Sequence, residues 1–322
     1  MTRYARQTLL PEVGLEGQTR LKKATALIIG AGGLAAPALP LLAGAGIGRL
    51  IIVDGDTVAL SNLHRQTLFT EADCDHPKAK VAAARCRAIN SDSVVEARVE
   101  ALTPATAPAL VGDADIVLDC ADSYAVSYLL SDLCLAENTP LFSASVLGLG
   151  GYAGGFCATA PSLRALFPDA PDSGASCETA GVLGPVVGII GAMQAQMALN
   201  HLLGVTPSPL GQMVQFDAGS LRSASFRFDS APEPETAFRF VAAADLSAQD
   251  HIIELREGVQ PLHPAARHMA AQDLLSAPTL QDIQPDTRLA LCCATGLRAW
   301  RAAEAIAPHW PGEIVLVAAS AS

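Results

Sequence analysis

The chain opens its first half with a repeated pattern. Residues 24–30 (Ala-Thr-Ala-Leu-Ile-Ile-Gly) form a short apolar run rich in β-branched residues, which breaks into glycines and then into an alanine- and leucine-rich stretch reaching about Gly46. Such a pattern predicts strand, tight turn and helix. Arg49 to Asp54 repeats the strand signal, an alanine-rich segment at 78–88 reads as a helix, and Ile116 to Cys120 gives another strand. Strands alternating with helices imply a parallel sheet covered on both faces, so the fold class expected is α/β, a doubly wound, Rossmann-like, mostly parallel sheet.

Further along the pattern changes. Pro140 to Cys157 is strand-like but rich in glycine, and Ala160 to Ser176 is polar and proline-bearing, a long loop that crosses over something. Met213 to Phe228 alternates like a closing hairpin around Ala218-Gly219. The longest apolar run, Val182 to Leu203, is long enough to span a bilayer, but Gln194, Gln196, Asn200 and His201 occupy its second half, which favours a buried helix. At Asp229 to Thr236 the composition turns abruptly to proline and acid, the mark of a linker. The expected division is a large unit over 1–228, a linker over 229–240 and a short second α/β unit over 241–322. That last unit has strand signals at His251–Leu255, Arg288–Cys292 and Glu313–Val317. No internal repeat is present.

Composition narrows the function. Half of the 322 residues are hydrophobic and 16% are charged, so there is material for a packed core and no sign of disorder. A net charge of −11 argues against nucleic acid or an anionic membrane as the main partner, since both select a basic face. The opening residues, Met1-Thr2-Arg3-Tyr4-Ala5-Arg6, are charged with no apolar stretch behind them, so they do not read as a signal peptide and a cytoplasmic protein is expected. Eight cysteines at irregular spacings fit reduced thiols better than a disulfide framework.

The candidate chemistry sits at the strand ends. Gly30-Ala31-Gly32-Gly33-Leu34-Ala35 follows a strand and opens a helix, so its backbone N–H groups and the helix dipole can hold a phosphate where a Cβ would block the approach. Asp54 ends the next strand about 20 residues on, where an acid can bond a ribose hydroxyl. Taken alone, this also satisfies the nicotinamide-dinucleotide fingerprint, and an NAD-dependent oxidoreductase stands as a rival reading. The next segment weighs against it: Ser61-Asn62-Leu63-His64-Arg65-Gln66 brings a guanidinium, and Lys78 follows Pro77 at a helix start. A dehydrogenase has no need of these cations near its pyrophosphate. An enzyme that cleaves ATP does, because charge builds on the α-phosphate and the departing pyrophosphate. Asp122, just beyond the strand at 116–120, lies at the carboxyl edge of the sheet and could hold magnesium on ATP, or could simply cap a helix.

Together the glycine turn, Asp54-Gly55-Asp56-Thr57-Val58, Ser61-Asn62-Leu63-His64-Arg65-Gln66, Pro77-Lys78 and Cys120-Ala121-Asp122 resemble, in order and spacing, the ThiF/MoeB/HesA family, bacterial relatives of ubiquitin-activating enzymes. The resemblance spans roughly residues 4–228 and includes the opening Tyr4-Ala5-Arg6-Gln7; Ser176-Cys177-Glu178-Thr179-Ala180-Gly181-Val182-Leu183-Gly184-Pro185 looks like the ThiF version in particular. It implies adenylation, by ATP, of the C-terminal Gly-Gly carboxylate of a β-grasp sulfur-carrier protein. The binding set implied is Gly30, Gly32, Gly33, Asp54, Asp56, Ser61, Asn62, Arg65, Gln66, Lys78 and Asp122, with Arg6 reaching in from the partner of a homodimer. The carrier tail would thread under a crossover at 158–177 so that a carboxylate oxygen attacks the α-phosphate in line. Little acid–base work is needed, because that carboxylate is already ionised at neutral pH.

Three departures from the resemblance stand out. Ser162 and Ala165 occupy the places of a first Cys-x-x-Cys pair and Asp229-Ser230 offers nothing for a second, so no structural zinc is expected. Ala35 and Ser123 stand where the family usually has glycine and asparagine, and Pro40 should kink the first helix.

Two thiols remain. Cys177 ends the crossover before the apolar helix, where a helix N-terminus favours thiolate, and the matching family cysteine can bond the carrier covalently. In the second unit, Leu291-Cys292-Cys293-Ala294-Thr295-Gly296-Leu297-Arg298 resembles a rhodanese active-site loop, and Ile252 to Glu257 the opening rhodanese strand. Cys293 is then the expected sulfur carrier, loaded by a sulfur-donor desulfurase, with Cys292 facing inward; a degenerate rhodanese fold kept for docking is the competing reading. The product would enter thiamine or molybdopterin-type cofactor synthesis. A non-catalytic scaffold that only holds the carrier is the third reading.

Overall fold

The computed structural model describes residues 3–169, 181–235, 237–274 and 287–319. The first sheet is built from β1 (Thr25–Ile29), β2 (Arg49–Val53), β3 (Val94–Arg98), β4 (Ile116–Asp119), β5 (Leu141–Leu147), β6 (Gly150–Phe156), β7 (Gln212–Asp217) and β8 (Arg222–Arg227), in the spatial order β3-β2-β1-β4-β5-β6-β7-β8. Pairings from β3 through β5 are parallel, and those from β5 through β8 are antiparallel. The expected hairpin is thus β7 and β8, and the glycine-rich 140–157 stretch is the hairpin of β5 and β6.

The strands read as near-continuous apolar runs because both faces are covered. On β1, Ala26 and Ile28 join a core with α1 (Gly14–Lys23), α2 (Ala35–Ala45) and α3 (Lys78–Ile89), whereas Leu27 and Ile29 point to the opposite core with α4 (Ala107–Gly112) and α5 (Tyr124–Ala136). Helix α2 runs unbroken through Pro40. A short α6 (Leu163–Leu166) follows β6. The long apolar run is α7 (Gly184–Leu203), packed on the sheet beside α2. Its polar residue Gln194 is fully buried and satisfied there: Nε2 donates to Asp119 O at 2.7 Å and Phe142 O at 2.8 Å, and Oε1 accepts from Cys120 Sγ. Those bonds explain how a polar residue interrupts a bilayer-length run without exposing it.

Strand order reverses between β1 and β4. The chain leaves β1 toward β2 and β3 on one side and returns to β4 on the other, so the connections after β1 and β4 diverge and leave a crevice at their carboxyl ends. The glycine turn and Asp122 follow those two strands.

A second, all-parallel sheet contains β9 (Arg239–Phe240), β10 (His251–Glu254), β11 (Arg267–His268), β12 (Leu289–Cys293) and β13 (Ile314–Ala318), in the order β11-β10-β12-β13-β9, with α8 (Ala271–Leu274) and α9 (Leu297–Ile306). The three expected strands are its centre; the two-residue edge strands β9 and β11 carried no periodic signal. Cys293 is the last residue of β12 and not part of the loop beyond it. Alternation along β12 sends Cys292 to a small core with Leu246, Ile252, Val315 and Val317, and sends Cys293 to the large core shared with α5.

Candidate functional site

The crevice is a cavity of about 470 Å³. One end is lined by the glycine turn (Gly30, Gly32, Gly33), Asp54, Asp56, Arg65, Gln66, Lys78 and the 100–102 segment, and the middle by Cys120 to Ser123. Two of the glycines are required sterically. Gly30 sits at φ +87°, and a Cβ there would lie 2.8 Å from the Cys120 carbonyl oxygen; a Cβ on Gly33 would lie 2.8 Å from a Val187 methyl and 3.9 Å from Arg65 Cγ.

Asp54 accepts hydrogen bonds from the N–H of Ala31 and of Asp56, both at 2.7 Å, so the carboxylate that ends β2 pins the glycine turn that follows β1. Burial pushes its carboxyl up, against those two bonds. Lys78, at the start of α3, is buried; its Nζ donates to Asp56 Oδ2 at 2.8 Å. Arg65 reaches the same cleft, with Nη1 donating to Ser61 O at 3.3 Å. Gln66 is buried and its Oε1 has no partner among the described groups, so the cleft lacks a donor there. An unmade bond of that kind costs about 1–3 kcal/mol, and a polar ligand or its hydration water relieves it.

Asp122 lines the cleft, and the alternative of a helix cap is not taken up: Ser123 is the residue before α5, and no side chain bonds the helix start. Three expected binding residues stand apart from the cleft. Ser61 and Asn62 lie on the turn Leu60–Asn62 and do not line it; they shape the turn, since Asn62 O accepts from the N–H of Arg65 at 3.1 Å and of Gln66 at 2.9 Å. Arg6 is exposed on the N-terminal turn, also away from the lining. Cys177 lies outside the described residues.

Of the rest of the lining, the sequence singled out only the crossover, not the residues of α5, β5 and β6. Tyr124, Ser127 and Tyr128 of α5, Ser143 to Leu147 of β5, Tyr152 of β6, and Leu163, Phe167 and Asp169 of the crossover line the cavity. Tyr152 stacks on Phe167 with ring centroids 5.4 Å apart, joining the sheet to the crossover. Beneath them Asp119 is fully buried, accepting from Ser143 Oγ at 2.9 Å and Ala121 N at 3.2 Å; burial pushes its carboxyl up to about 6. The one available signal was the polar residue in Leu118-Asp119-Cys120, an acid inside an otherwise apolar strand.

At the place of the missing zinc ligands, Ser162 is clasped by the linker: its N–H and Oγ donate to the Glu233 carboxylate at 2.7 and 2.5 Å. Among the described residues no group of three His, Cys, Asp or Glu side chains gathers around a metal position.

A glycine turn, two cations and a strand-end acid thus line one crevice at the switch point of the sheet. Residues 4–237 match the ThiF family. The chain belongs to the ThiF family. The sulfur carrier protein ThiS adenylyltransferase of Escherichia coli is 43% identical over 222 residues, covering 68% of this chain and 87% of that protein. The adenylyltransferase and sulfurtransferase MOCS3 of Arabidopsis thaliana is 44% identical over 229 residues, 68% of this chain and 48% of that relative, so this chain matches about half its length. Among solved structures, E. coli MccB with ATP superposes with a TM-score of 0.62 at 22% identity, over 72% of this chain and 73% of that one; the likeness shows a shared fold.

Proposed function

We propose that this ThiF-family chain is an ATP-dependent adenylyltransferase acting on the C-terminal carboxylate of a ubiquitin-like sulfur carrier. One observation carries the reading: Arg65 and Lys78 line, with the glycine turn and Asp122, a cavity whose lining also takes in Tyr152, Leu163 and Phe167. A nicotinamide enzyme has no use for the cations, and a bare nucleotide binder none for those further residues. The E. coli relative's name, an adenylyltransferase of the carrier ThiS, supports the same activity.

The residues present fit ATP. Gly30, Gly32 and Gly33 line the cleft, and the turn that they form follows β1 and precedes α2, where helix-start N–H groups can hold a phosphate. A carrier carboxylate oxygen attacks the α-phosphorus, the bond to the bridging oxygen breaks, and pyrophosphate leaves with the electron pair, giving a carrier acyl-adenylate. Arg65 and Lys78 stabilise the charge that grows on the phosphates, and the crossover side of the cavity aligns the attacking tail. Magnesium, when bound, would neutralise the phosphates; Asp122 is the side chain that would hold it, with nucleotide oxygens and water completing the shell.

Extending the reading, Arg6 serves the cleft of a second copy in a homodimer, because it cannot serve its own from where it lies. The second sheet is a rhodanese-like unit in which Cys293, charged by a desulfurase, supplies sulfur that displaces AMP; the name of the Arabidopsis relative, adenylyltransferase and sulfurtransferase, supports this pairing. The test is ATP–pyrophosphate exchange that depends on a Gly-Gly-ended carrier. Exchange without carrier, or none with any Gly-Gly-ended carrier, would overturn the reading.

A further inference from the structure

The second sheet is docked on α5 around one buried cation. Arg164 of α6 is 3% exposed, yet it touches four residues in three parts of the chain. Its Nε and Nη2 donate to the Asp132 carboxylate of α5 at 2.5 and 2.9 Å, and Nη2 also donates to the carbonyl of Phe238, just before β9, at 3.1 Å. The guanidinium lies 4.7 Å from the ring centroid of Tyr128 on α5 and 5.0 Å from that of Trp300 on α9. Those two rings meet edge-on at 4.4 Å. The Ser162–Glu233 clasp holds the linker on the same side.

In the same core lies Cys293, 2% exposed, its Sγ accepting from the N–H of Gly296 at 3.1 Å and of Ala299 at 3.4 Å. A Cβ on Gly296 would stand 2.5 Å from the Phe240 ring and 3.3 Å from the Cβ of Ala125. Ala125 is flanked by Tyr124 and Val126, which line the cleft, so the first turn of α5 stands between the thiol and the cavity. In the docked arrangement Cys293 can neither be reached from solvent nor deliver anything into the cleft.

We propose that Arg164 is a latch: it holds the second sheet docked on α5 with Cys293 sealed, and the sheet leaves α5 as a folded body, hinged in the linker after Glu233, whenever Cys293 reacts. The chemistry of the contact suits reversible release. The Arg164–Asp132 pair lies within the first unit and stays made on opening, so only the bond to the Phe238 carbonyl and the contact with the Trp300 ring are broken and neither charge is stranded. The biological consequence, a cycle between a sealed and a sulfur-accepting thiol, rests on the proposed function; the opening itself does not.

The two adjacent cysteines provide the test, because they face opposite sides of one sheet. Native-state alkylation of the full chain with N-ethylmaleimide, followed by peptide mass spectrometry, needs neither ATP nor carrier, so its outcome is separate from that of the adenylation reading. Half-buried Cys74 is the reactive reference, and buried Cys134 reports unfolding of the first sheet unit. The wild type should label Cys293 more slowly than Cys74 while Cys292 and Cys134 stay unmodified. Arg164→Lys, which keeps the charge but loses the guanidinium's bond to the Phe238 carbonyl and its contact with the Trp300 ring, should speed Cys293 labelling by about tenfold or more without touching Cys292, as expected from losing one hydrogen bond to a charged group. Trp300→Phe, which keeps an aromatic core, should act in the same direction if the lysine variant does not fold. Labelling of Cys292 in step with Cys293, equal Cys293 rates in wild type and both variants, or Cys293 as fast as Cys74 in the wild type would each overturn the proposal.

Discussion

Replacing Lys78 with methionine separates the catalytic use of the cation from its structural use. The Lys78 side chain is 8% exposed, but its partner Asp56 is 75% exposed. Methionine keeps an unbranched apolar stem in the buried space, and the abandoned Asp56 carboxylate is already in water. Folding therefore loses no more than an exposed ion pair provides, about 0–1 kcal/mol, or a change in Tm within about 4 °C for a chain of this size. Catalysis loses a preorganised cation beside phosphates whose charge grows in the transition state. Removal of one such group costs on the order of 100- to 1000-fold in kcat, about 2.7–4 kcal/mol. Carrier-dependent pyrophosphate exchange measures the second quantity and thermal unfolding the first. The reasoning is refuted by a loss of exchange under about tenfold, roughly 1.4 kcal/mol, or by a loss of activity that merely follows a large fall in Tm.

Asp119→Asn tests the buried acid: its carboxyl is pushed from 3.8 up to about 6, so between those values the unfolded chain ionises first and stability falls as pH rises. Relative to wild type, the variant should gain stability from pH 4 to pH 7, by up to about 3 kcal/mol, and a pH-independent difference in urea midpoints would contradict the burial argument. Gly30→Ala places a Cβ at φ +87°, 2.8 Å from the Cys120 carbonyl oxygen. It should cost on the order of 1–2 kcal/mol from the left-handed backbone alone, and an unchanged urea midpoint would show that the turn relaxes. Ser162→Ala removes both the α6 cap, where Oγ accepts from Ala165 N at 3.2 Å, and the Oγ bond to Glu233. A loss of about 1 kcal/mol in thermal unfolding is expected, and none at all would mean the linker is held elsewhere.

Local sequence made much of the first unit legible. The strands β1, β2 and β4, the glycine turn and the closing hairpin of β7 and β8 showed through because each depends on neighbours within a few residues: β-branched runs, glycines after a strand, alternation with a period of two. The charged end of the cleft followed in part, since Asp54, Lys78 and Asp122 stand at or just beyond strand or helix ends whose position the alternating pattern sets, whereas Arg65 sits in a turn. The misjudged residues are those whose role depends on what approaches from afar. Ser61 and Asn62 turned out to shape the turn that carries Arg65 and Gln66, and their motif spacing could not distinguish that from contact with a ligand. Edge strands β9 and β11 have two residues each, too short for any period to register.

The amino-acid sequence by itself determined the doubly wound sheet, the phosphate-cradling turn and the family, because these are written in short-range patterns and in the order of a few chemical groups. Only the tertiary structure decided that Asp119 is a buried acid under the cavity, that Gln194 is paired inside an apolar helix, and that Glu233 grips Ser162 where cysteines were missing. It alone also placed Cys293 in one core with α5 and Trp300. The first three outcomes turn on burial and on partners 24 to 75 residues away along the chain, and the energy of a polar or charged group depends on that distant packing far more than on its neighbours in sequence.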